Sequence, residues 1–273
     1  MKAFKTFIRF ILLAKNSPFK SFKDKFEVFR VLCLLSIKKE LFPEPKKEVT
    51  QKLFGYLVTS YKYGALFCLF KEIFAKGDYY FLSPSDKPRI IDCGANIGMS
   101  ILFFKKLYPS CEVLAFEPNP YAFHLLEKNV NINKIENVAL NKIGLSNRNG
   151  SIDFYLSHNK GSLLGSMNSK RGGDNILKIQ TSPLSSFLKS ENYDLIKIDV
   201  EGAEQEIIDD LASNNKIQNF KKYVIEYHHK INKEVSQFSK FLAPFEANGY
   251  EYNMKTTYGN LGTFQDILIS FSR

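Results

Sequence analysis

The eleven residues from Ile90 to Ser100 constrain the fold of this chain more than any other stretch. They read Ile-Ile-Asp-Cys-Gly-Ala-Asn-Ile-Gly-Met-Ser, so a short apolar run is followed by small residues and then by a second apolar run. This order predicts a strand end, a tight turn and a helix start. Gly94 and Gly98 have no Cβ and let the backbone approach a bound molecule closely. Because open α/β sheets bind ligands at the carboxyl ends of their strands, the stretch predicts a cofactor site.

After this stretch, apolar runs alternate with helical patterns. Strands are predicted at residues 111–116, 138–143, 195–198 and 223–227, and helices at 99–107, 122–131 and 203–212. Residues 151–157 alternate like an additional strand, and residues 250–254 and 266–271 form a predicted closing hairpin. The alternation predicts an α/β fold with a doubly wound Rossmann-like sheet, mostly parallel with a C-terminal antiparallel hairpin.

The N-terminal part has a different character. Helical patterns at 1–14, 19–41 and 53–75 and a turn with a short strand at 77–81 predict a helical N-terminal extension, residues 1–75, before a domain at 76–273. Residues 1–52 hold 13 Lys or Arg against five Asp or Glu, a net of +8 within a chain of formal charge +10. This asymmetry indicates an anionic partner such as lipid headgroups or nucleic acid.

The first helix is basic and amphipathic. Its apolar side chains Phe4, Phe7, Ile8, Ile11 and Leu12 lie at helical spacing among lysines and an arginine. Residues 1–15 are too few to span a bilayer and lack a signal-peptide cleavage pattern. They could lie on a membrane surface or pack against the following domain.

Four cysteines without a C-x-x-C pair suggest neither a disulfide framework nor a zinc site, which favours a reducing, cytoplasmic setting.

A second polar block follows the strand predicted at 111–116. Glu117, nineteen residues after Gly98, precedes Pro118 and Asn119. A carboxylate at this strand end could accept both ribose hydroxyls of an adenosine-containing cofactor. Leu145 follows the next predicted strand. The glycine- and serine-rich residues 159–175 predict a mobile loop, in which Lys170 and Arg171 could meet a phosphate.

Carboxylates and histidines also end the last two parallel strands. Asp199 and Glu201 follow the apolar run 195–198, and Glu226 and His228 share parity on the next strand. His228 is the predicted general base, because a neutral imidazole can accept a hydroxyl proton, and Asp199 is the alternative.

These four residues could instead hold a divalent metal, since carboxylates and imidazole are common ligands. Their spacing is not diagnostic, so the sequence predicts no metal site.

Three of these blocks together resemble the FkbM-type family of class I S-adenosylmethionine (SAM) methyltransferases. The matching motifs are Asp-Cys-Gly-Ala-Asn-Ile-Gly, Phe-Glu-Pro-Asn-Pro and Ile-Asp-Val-Glu-Gly-Ala-Glu, at residues 92–98, 116–120 and 198–204. The chain departs from the family at Ser185, where members commonly carry aspartate. The resemblance implies SAM as cofactor, held by Asp92, Gly94, Ala95, Asn96, Gly98, Ser100, Glu117, Pro118, Asn119, Leu145 and Asp199. It implies catalytic roles for His228, Asp199 and Glu201.

The implied activity is an O-methyltransferase acting on a hydroxyl, with a sugar of a glycan or of its nucleotide- or lipid-linked precursor as the expected acceptor. The expected location is cytoplasmic, with peripheral contact at the inner face of the membrane through residues 1–15. No nucleic-acid partner is expected, and the oligomeric state stays open. One alternative is a nicotinamide-dependent oxidoreductase, although the glycine spacing differs from G-x-G-x-x-G. Another is a non-catalytic protein that binds membrane or nucleic acid through its basic N-terminal segment.

Overall fold

A computed structural model describes residues 2–44, 48–156, 165–166, 174–189, 192–231, 237–256 and 264–273. Lys170 and Arg171, the predicted phosphate contacts, lie outside these ranges.

The N-terminal part contains helices and a small hairpin. In chain order it comprises α1 (Lys2–Lys15), α2 (Phe22–Leu41), β1 (Val49–Leu53), β2 (Tyr56–Ser60) and α3 (Tyr63–Phe70), which continues as the π-helical turn Lys71–Lys76. Ser21 caps α2 by accepting a hydrogen bond from the backbone N–H of Asp24. β1 and β2 pair antiparallel over their full length.

Two predictions for this part are wrong. The predicted helix 53–75 is helical only from Tyr63 onwards, because β1 and β2 occupy the residues before it. Phe54 and Gly55 both have positive φ, 50° and 89°, and form the two-residue turn that suits the twist of a hairpin. The strand predicted within 77–81 is a turn followed by irregular backbone.

The remaining elements build two sheets and their covering helices. They are β3 (Arg89–Cys93), α4 (Met99–Leu107), β4 (Glu112–Phe116), α5 (Pro120–Ile132), β5 (Val138–Asn141), β6 (Gly144–Ser146), β7 (Gly150–Leu156), β8 (Gly165–Ser166), β9 (Asn175–Pro183), β10 (Leu195–Ile198), α6 (Glu204–Ser213), β11 (Lys222–His229), α7 (Phe238–Ala247), β12 (Glu251–Thr256) and β13 (Gln265–Ser272). A smaller sheet has the order β6-β9-β7-β8.

The large sheet has seven strands in the order β12-β13-β11-β10-β3-β4-β5. The five strands from β11 to β5 run parallel, and β13 pairs antiparallel with both β11 and β12. The predicted doubly wound sheet with an antiparallel C-terminal hairpin is therefore confirmed. The chain builds outwards from β3 to β5 and then returns to β10 on the other side of β3. The carboxyl ends of β3 and β10 thus lie at a topological switch point, where such sheets bind ligands.

Buried apolar residues fill both faces of this sheet. On one face, side chains from α1, α2 and the β1-β2 hairpin join those of α4 and α5 in one cluster that includes Val28, Phe70 and Phe103. A second cluster, which includes Ile207 and Phe245, lies under α6 and α7. The proposed domain boundary between residues 75 and 76 stays a prediction, although buried residues from both sides of it share the first cluster.

Helix α1 packs through a face other than the predicted apolar stripe. Phe10 and Ala14 are buried, whereas the predicted stripe remains exposed, from 41% at Ile8 to 67% at Phe4. Phe7 nevertheless makes an edge contact with Phe29 of α2, with ring centroids 5.3 Å apart. None of the helices in the described ranges is long and apolar enough to cross a membrane.

Candidate active site

The loop after β3 is held tightly against the neighbouring strand ends. The backbone N–H groups of Gly94 and Ala95 both donate to the carbonyl oxygen of Phe116, each over 2.9 Å. Gly94 has φ +88°, and a Cβ at this position would lie 1.9 Å from the carbonyl oxygen of Asp199. The close approach of the β3 and β10 loops therefore requires glycine here.

Glu117 is fixed at the end of β4 by two backbone donors. Its carboxylate oxygens accept hydrogen bonds from the N–H groups of Asn96 and Asn119, both over 2.8 Å. The side chain of Asn119 in turn caps α5. Burial raises the pKa of Glu117, the two backbone hydrogen bonds oppose this, and the net pKa is about 7. A hydroxyl pair donating to this carboxylate would favour its charged form.

A crevice of about 600 Å³, including its open mouth, lies at the switch point between these loops. Six of the predicted cofactor contacts line it, namely Gly94, Asn96, Glu117, Pro118, Leu145 and Asp199, together with the predicted catalytic residue Glu201. Its walls also include residues that sequence reasoning did not single out, among them Phe116, Ile143, Gly144, Phe154, Gly165 and Val200. The residues from β6, β7 and β8 show that the smaller sheet closes one side of the crevice.

The other predicted cofactor contacts lie behind the crevice wall. Asp92 is fully buried and accepts a hydrogen bond from the hydroxyl of Ser100, which is itself 3% exposed. Ala95, Gly98 and Asn119 shape the loops through backbone geometry and capping. These five residues support the loops in the structure, and their direct contact with the cofactor stays a prediction.

Lys197 is a buried charge that sequence reasoning missed. It is 1% exposed, lies 3.3 Å from the Asp92 carboxylate and donates to the carbonyl oxygen of Gly94 over 2.6 Å. Burial lowers its pKa, but the carboxylates of Asp92 and Asp199 outweigh this and raise it above the ordinary value. The signal was available, since a lysine inside the apolar run Leu195–Ile198 must find a partner when the strand is buried.

Asp199 links the crevice to the N-terminal part of the chain. One of its carboxylate oxygens accepts a hydrogen bond from the hydroxyl of Tyr79 over 2.9 Å and lies 3.7 Å from the Lys197 ammonium. Its side chain is 23% exposed. Tyr79, from the segment between the π-helical turn and β3, thus contacts a residue that lines the crevice.

His228 lies beside Asp199 within a group of carboxylates. Its Nδ1 is 2.8 Å from Glu204 and its Nε2 is 3.2 Å from Glu201. One ligand atom each of Asp199, Glu226 and His228 lie within 4.8 Å of one another. The charge of Asp199 and then burial raise the pKa of Glu226 to about 8. The parity argument that placed Glu226 and His228 together is thus consistent with the structure.

The role of His228 as a general base stays a prediction, and two features of this arrangement argue against it. The side chain is fully enclosed, so a substrate hydroxyl has no direct access to it. Burial lowers its pKa, but Glu204, Glu201 and Asp199 outweigh that effect and raise it to about 10. The surrounding carboxylates therefore favour the protonated ring. Glu204, which is 2% exposed, is a further residue that the sequence analysis did not single out.

A second, wider cavity lies on the other side of this group. By the same measure it holds about 1290 Å³, and α1, the π-helical turn and the C-terminal hairpin surround it. Glu226 lines this cavity, whereas Asp199 lines the crevice. Neighbouring carboxylates therefore line the two cavities, one on each side of the group.

The model of the methyltransferase FkbM domain matches residues 92–252 of this chain. Methyltransferase sdnD of Sordaria araneosa is 30% identical over 172 residues, which cover 51% of this chain and 66% of that protein. The 2-O-methyltransferase NoeI of Sinorhizobium fredii is 30% identical over 138 residues, which cover 44% of this chain and 56% of that protein. The chain thus spans from 56% to 66% of the length of these two relatives.

Two solved structures are similar to this fold. Methyltransferase FkbM from Methylobacillus flagellatus KT has a TM-score of 0.47 at 15% identity, over 98% of this chain and 59% of that one. TYW2 of M. jannaschii in complex with AdoMet has a TM-score of 0.45 at 17% identity, over 84% of this chain and 88% of that one. Since the domain model covers more than half of the residues, the chain belongs to the methyltransferase FkbM family of SAM-dependent enzymes.

Proposed function

We propose that this protein transfers the methyl group of SAM to a hydroxyl of a sugar-containing acceptor. The observation that carries the proposal is that Asp199 lines the crevice while its neighbour Glu226 lines the wider cavity. One cavity has the features of a nucleoside site, and the other is large enough for an acceptor. A methyl group transferred between them would travel the short distance that an in-line displacement requires.

The crevice supports the cofactor half of the reaction. Glu117 would accept the ribose hydroxyls, and the loop from Gly94 to Asn96 would pass close to the rest of the nucleoside. The bound cofactor would supply an activated methyl on its sulfonium. The protein's own contribution is then to hold the acceptor oxygen in line and to exclude water.

The wider cavity supports a hydroxyl-rich acceptor. Arg9, Glu72, Asp78, Glu226 and Lys255 contribute donors and acceptors to its lining, alongside the apolar Leu12 and Leu13. Such a lining offers hydrogen-bonding partners to the hydroxyls of an acceptor and apolar surface to its carbon atoms. The printed name of the relative NoeI, a 2-O-methyltransferase, supports oxygen as the methylated atom.

Asp199 is the residue that we assign as proton acceptor, in place of His228. It borders the crevice, and its exposed fraction leaves room for an acceptor hydroxyl. Tyr79 and Lys197 hold its carboxylate in position. A carboxylate so placed could remove the hydroxyl proton as the oxygen attacks the methyl group. His228 and Glu201 would then act by positioning.

The exposed stripe of α1 supports a peripheral position on the cytoplasmic face of a membrane. Phe4 and Ile8 form part of an apolar face that the described protein leaves uncovered, and Lys5 and Arg9 lie on the same helix. Apolar side chains bordered by basic ones suit an anionic lipid surface. The buried face of α1 would at the same time hold the helix on the domain.

The two alternatives lose their support once the family is known. A nicotinamide-dependent oxidoreductase is not favoured by a match to a methyltransferase domain that includes the glycine loop. A purely non-catalytic membrane or nucleic-acid binder would not need the paired carboxylates between two cavities.

The direct test is calorimetric titration with SAM, S-adenosylhomocysteine and NAD. We expect the two sulfur compounds to bind and NAD not to bind. Glu117→Ala should weaken SAM binding at least tenfold, because a charge-assisted hydrogen bond is lost. Transfer of labelled methyl to a panel of free, nucleotide-linked and lipid-linked sugars would then identify the acceptor. Absence of binding by both sulfur compounds would exclude the proposed reaction.

A further inference from the structure

Asp199, Glu226 and His228 form a compact group at the carboxyl ends of the neighbouring parallel strands β10 and β11. One ligand atom from each residue lies within 4.8 Å of the others, a separation that a single ion between them could bridge. Glu226 and His228 are two residues apart on one strand and therefore point to the same side. The sequence separation between Asp199 and this pair explains why ligand spacing did not reveal the group.

The second observation is the orientation of the His228 ring. Glu204 Oε1 lies 2.8 Å from Nδ1 and also accepts the backbone N–H of Gly202 over 2.9 Å. Glu204 is thus fixed, and it can hold a proton on Nδ1. Nε2 is buried and makes no hydrogen bond to any described residue, although carboxylate oxygens of Glu201 and Asp266 lie 3.2 Å and 3.8 Å away. Metal-bound histidines characteristically donate one ring N–H to a carboxylate and ligate through the other nitrogen.

Lys197 does not neutralise the carboxylates of the group formed by Asp199, Glu226 and His228. Lys197 lies 3.7 Å from Asp199, but it is closer to Asp92 and donates to the carbonyl oxygen of Gly94. Glu226 therefore keeps a carboxylate neighbour in Asp199, and the two carboxylates would repel each other if both were ionised. A cation bound between them would remove that repulsion.

We propose that Asp199, Glu226 and His228 bind one divalent cation of the Mg²⁺ or Mn²⁺ class. Two carboxylate oxygens and one imidazole nitrogen form a mainly hard donor set. Such a set suits Mg²⁺ and Mn²⁺ better than it suits soft metal ions. Three protein ligands leave half of an octahedron open. The open positions would border the wide cavity that Glu226 lines. Binding would displace the proton from Nε2, as metal binding displaces protons from its ligands in general.

The role of the ion, unlike its binding, rests on the proposed function. An acceptor hydroxyl that occupied an open position would be oriented towards the crevice, and its proton would be more acidic. Asp199 would then both ligate the ion and border the path of the methyl group. The cation would also select acceptors that present an oxygen at that position.

The test is a titration of the full-length protein with Mn²⁺, in which electron paramagnetic resonance measures the free ion. We expect one Mn²⁺ per wild-type chain. Glu226→Gln, which keeps the side-chain shape, should weaken binding at least tenfold. Glu204→Gln should weaken it by about 10- to 100-fold, because Glu204 orients the histidine without touching the ion. The matched control is Asp209→Asn on α6, where a carboxylate outside the group pairs with Lys240, and its affinity should equal that of wild type.

Two results would overturn the cation site. One is wild-type protein that binds no Mn²⁺ at millimolar concentration, and the other is Glu226→Gln with unchanged affinity. Circular dichroism and melting of each variant verify that it is folded. Calorimetry of SAM binding in EDTA separates this proposal from the previous one. SAM binding without Mn²⁺ binding would exclude only the cation, whereas Mn²⁺ binding without SAM binding would exclude only the proposed reaction.

Discussion

Gly94 is the residue at which the cofactor loop and the strand carrying Asp199 come closest. Its missing side chain lets the Asp199 carbonyl oxygen occupy the space of a Cβ, and its positive φ lies in a region that other residues rarely adopt. The close contact and the positive φ therefore both exclude a side chain at position 94. The site therefore depends on one glycine for its backbone geometry before any side chain contributes.

Gly94→Ala should lower the free energy of unfolding by about 2 to 4 kcal/mol and abolish detectable SAM binding, since the β10 loop must move. Gly64→Ala is the control, because a Cβ at Gly64 in α3 meets nothing within 4 Å. That change should alter stability by less than about 1 kcal/mol. Urea denaturation and calorimetry measure both effects. Equal stability of the two variants would contradict the close approach described here.

Glu117 predicts a pH dependence. Because burial raises its pKa to about 7, the neutral form is favoured in the unliganded fold. Protonated Glu117 therefore stabilises the fold. This contribution is fully present below the ordinary pKa of 4.5 and is lost as pH rises through about 7. Ribose hydroxyls need the ionised form as acceptor, so SAM affinity should rise about tenfold between pH 6 and pH 8.

Glu117→Gln should bind SAM weakly at both pH 6 and pH 8, and the slope of SAM affinity against pH should disappear. Glu127→Gln, at an exposed position on α5, should keep the wild-type slope. Titrations in buffers of different ionisation enthalpy would also show proton release by the wild type near pH 6.5. A slope that persists in Glu117→Gln would assign the titration to another group.

The strand-end carboxylates were predictable from the sequence, because a polar residue after an apolar run marks the binding edge of such a sheet. The different positions that these carboxylates take in the structure were not predictable from the sequence. Asp92 and Asp199 both end strands, yet Asp92 is buried against Lys197 and Asp199 reaches the crevice. The difference arises from contacts between strands that are 100 or more residues apart in the chain.

At the scale of elements, strong periodicity predicted the large sheet and its helices. For α4 the predicted and observed bounds are identical. The β1-β2 hairpin was missed because its turn is Phe-Gly, and phenylalanine rarely adopts positive φ. The alternating Val, Thr and Leu on either side of Gly55 carried the missing signal. The packing of α1 was also hidden, since Phe10 and Ala14 and not the more regular stripe became buried.

The exposed stripe of α1 predicts binding to anionic vesicles. Phe4→Ser combined with Ile8→Ser removes two side chains that lie one turn apart and should weaken binding to phosphatidylglycerol-containing vesicles at least tenfold. Ile132→Ser combined with Ile176→Ser removes two exposed apolar residues elsewhere and should not change it. Co-sedimentation at two salt concentrations measures both. Equal binding by the two double variants would argue against a surface role for α1.

For the molecule as a whole, the shared apolar cluster makes the N-terminal elements part of the catalytic core. Phe19 precedes α2 and packs against Phe54, Phe74 and Phe103, so it joins the extension to α4. The sequence predicted the extension from its helical patterns, but neither these patterns nor the basic charge reports which surface a segment covers. We therefore expect the chain to unfold as one cooperative unit.

Phe19→Ala should lower the free energy of unfolding by about 3 to 5 kcal/mol and shift one single calorimetric transition. Phe22→Ala, only three residues away and 85% exposed, should change it by less than about 0.5 kcal/mol. Two separate transitions, of which only the first responds to Phe19→Ala, would instead support an independent extension.

Helix α1 supplies Arg9, Leu12 and Leu13 to the wall of the wide cavity, and Leu12 also belongs to the exposed apolar face of the helix. On the proposal that this face rests on lipid, the entrance to the acceptor site would open at the interface itself. Turnover would then follow the mole fraction of acceptor within the bilayer leaflet, and adding inert lipid would slow the enzyme by surface dilution even at constant bulk concentration.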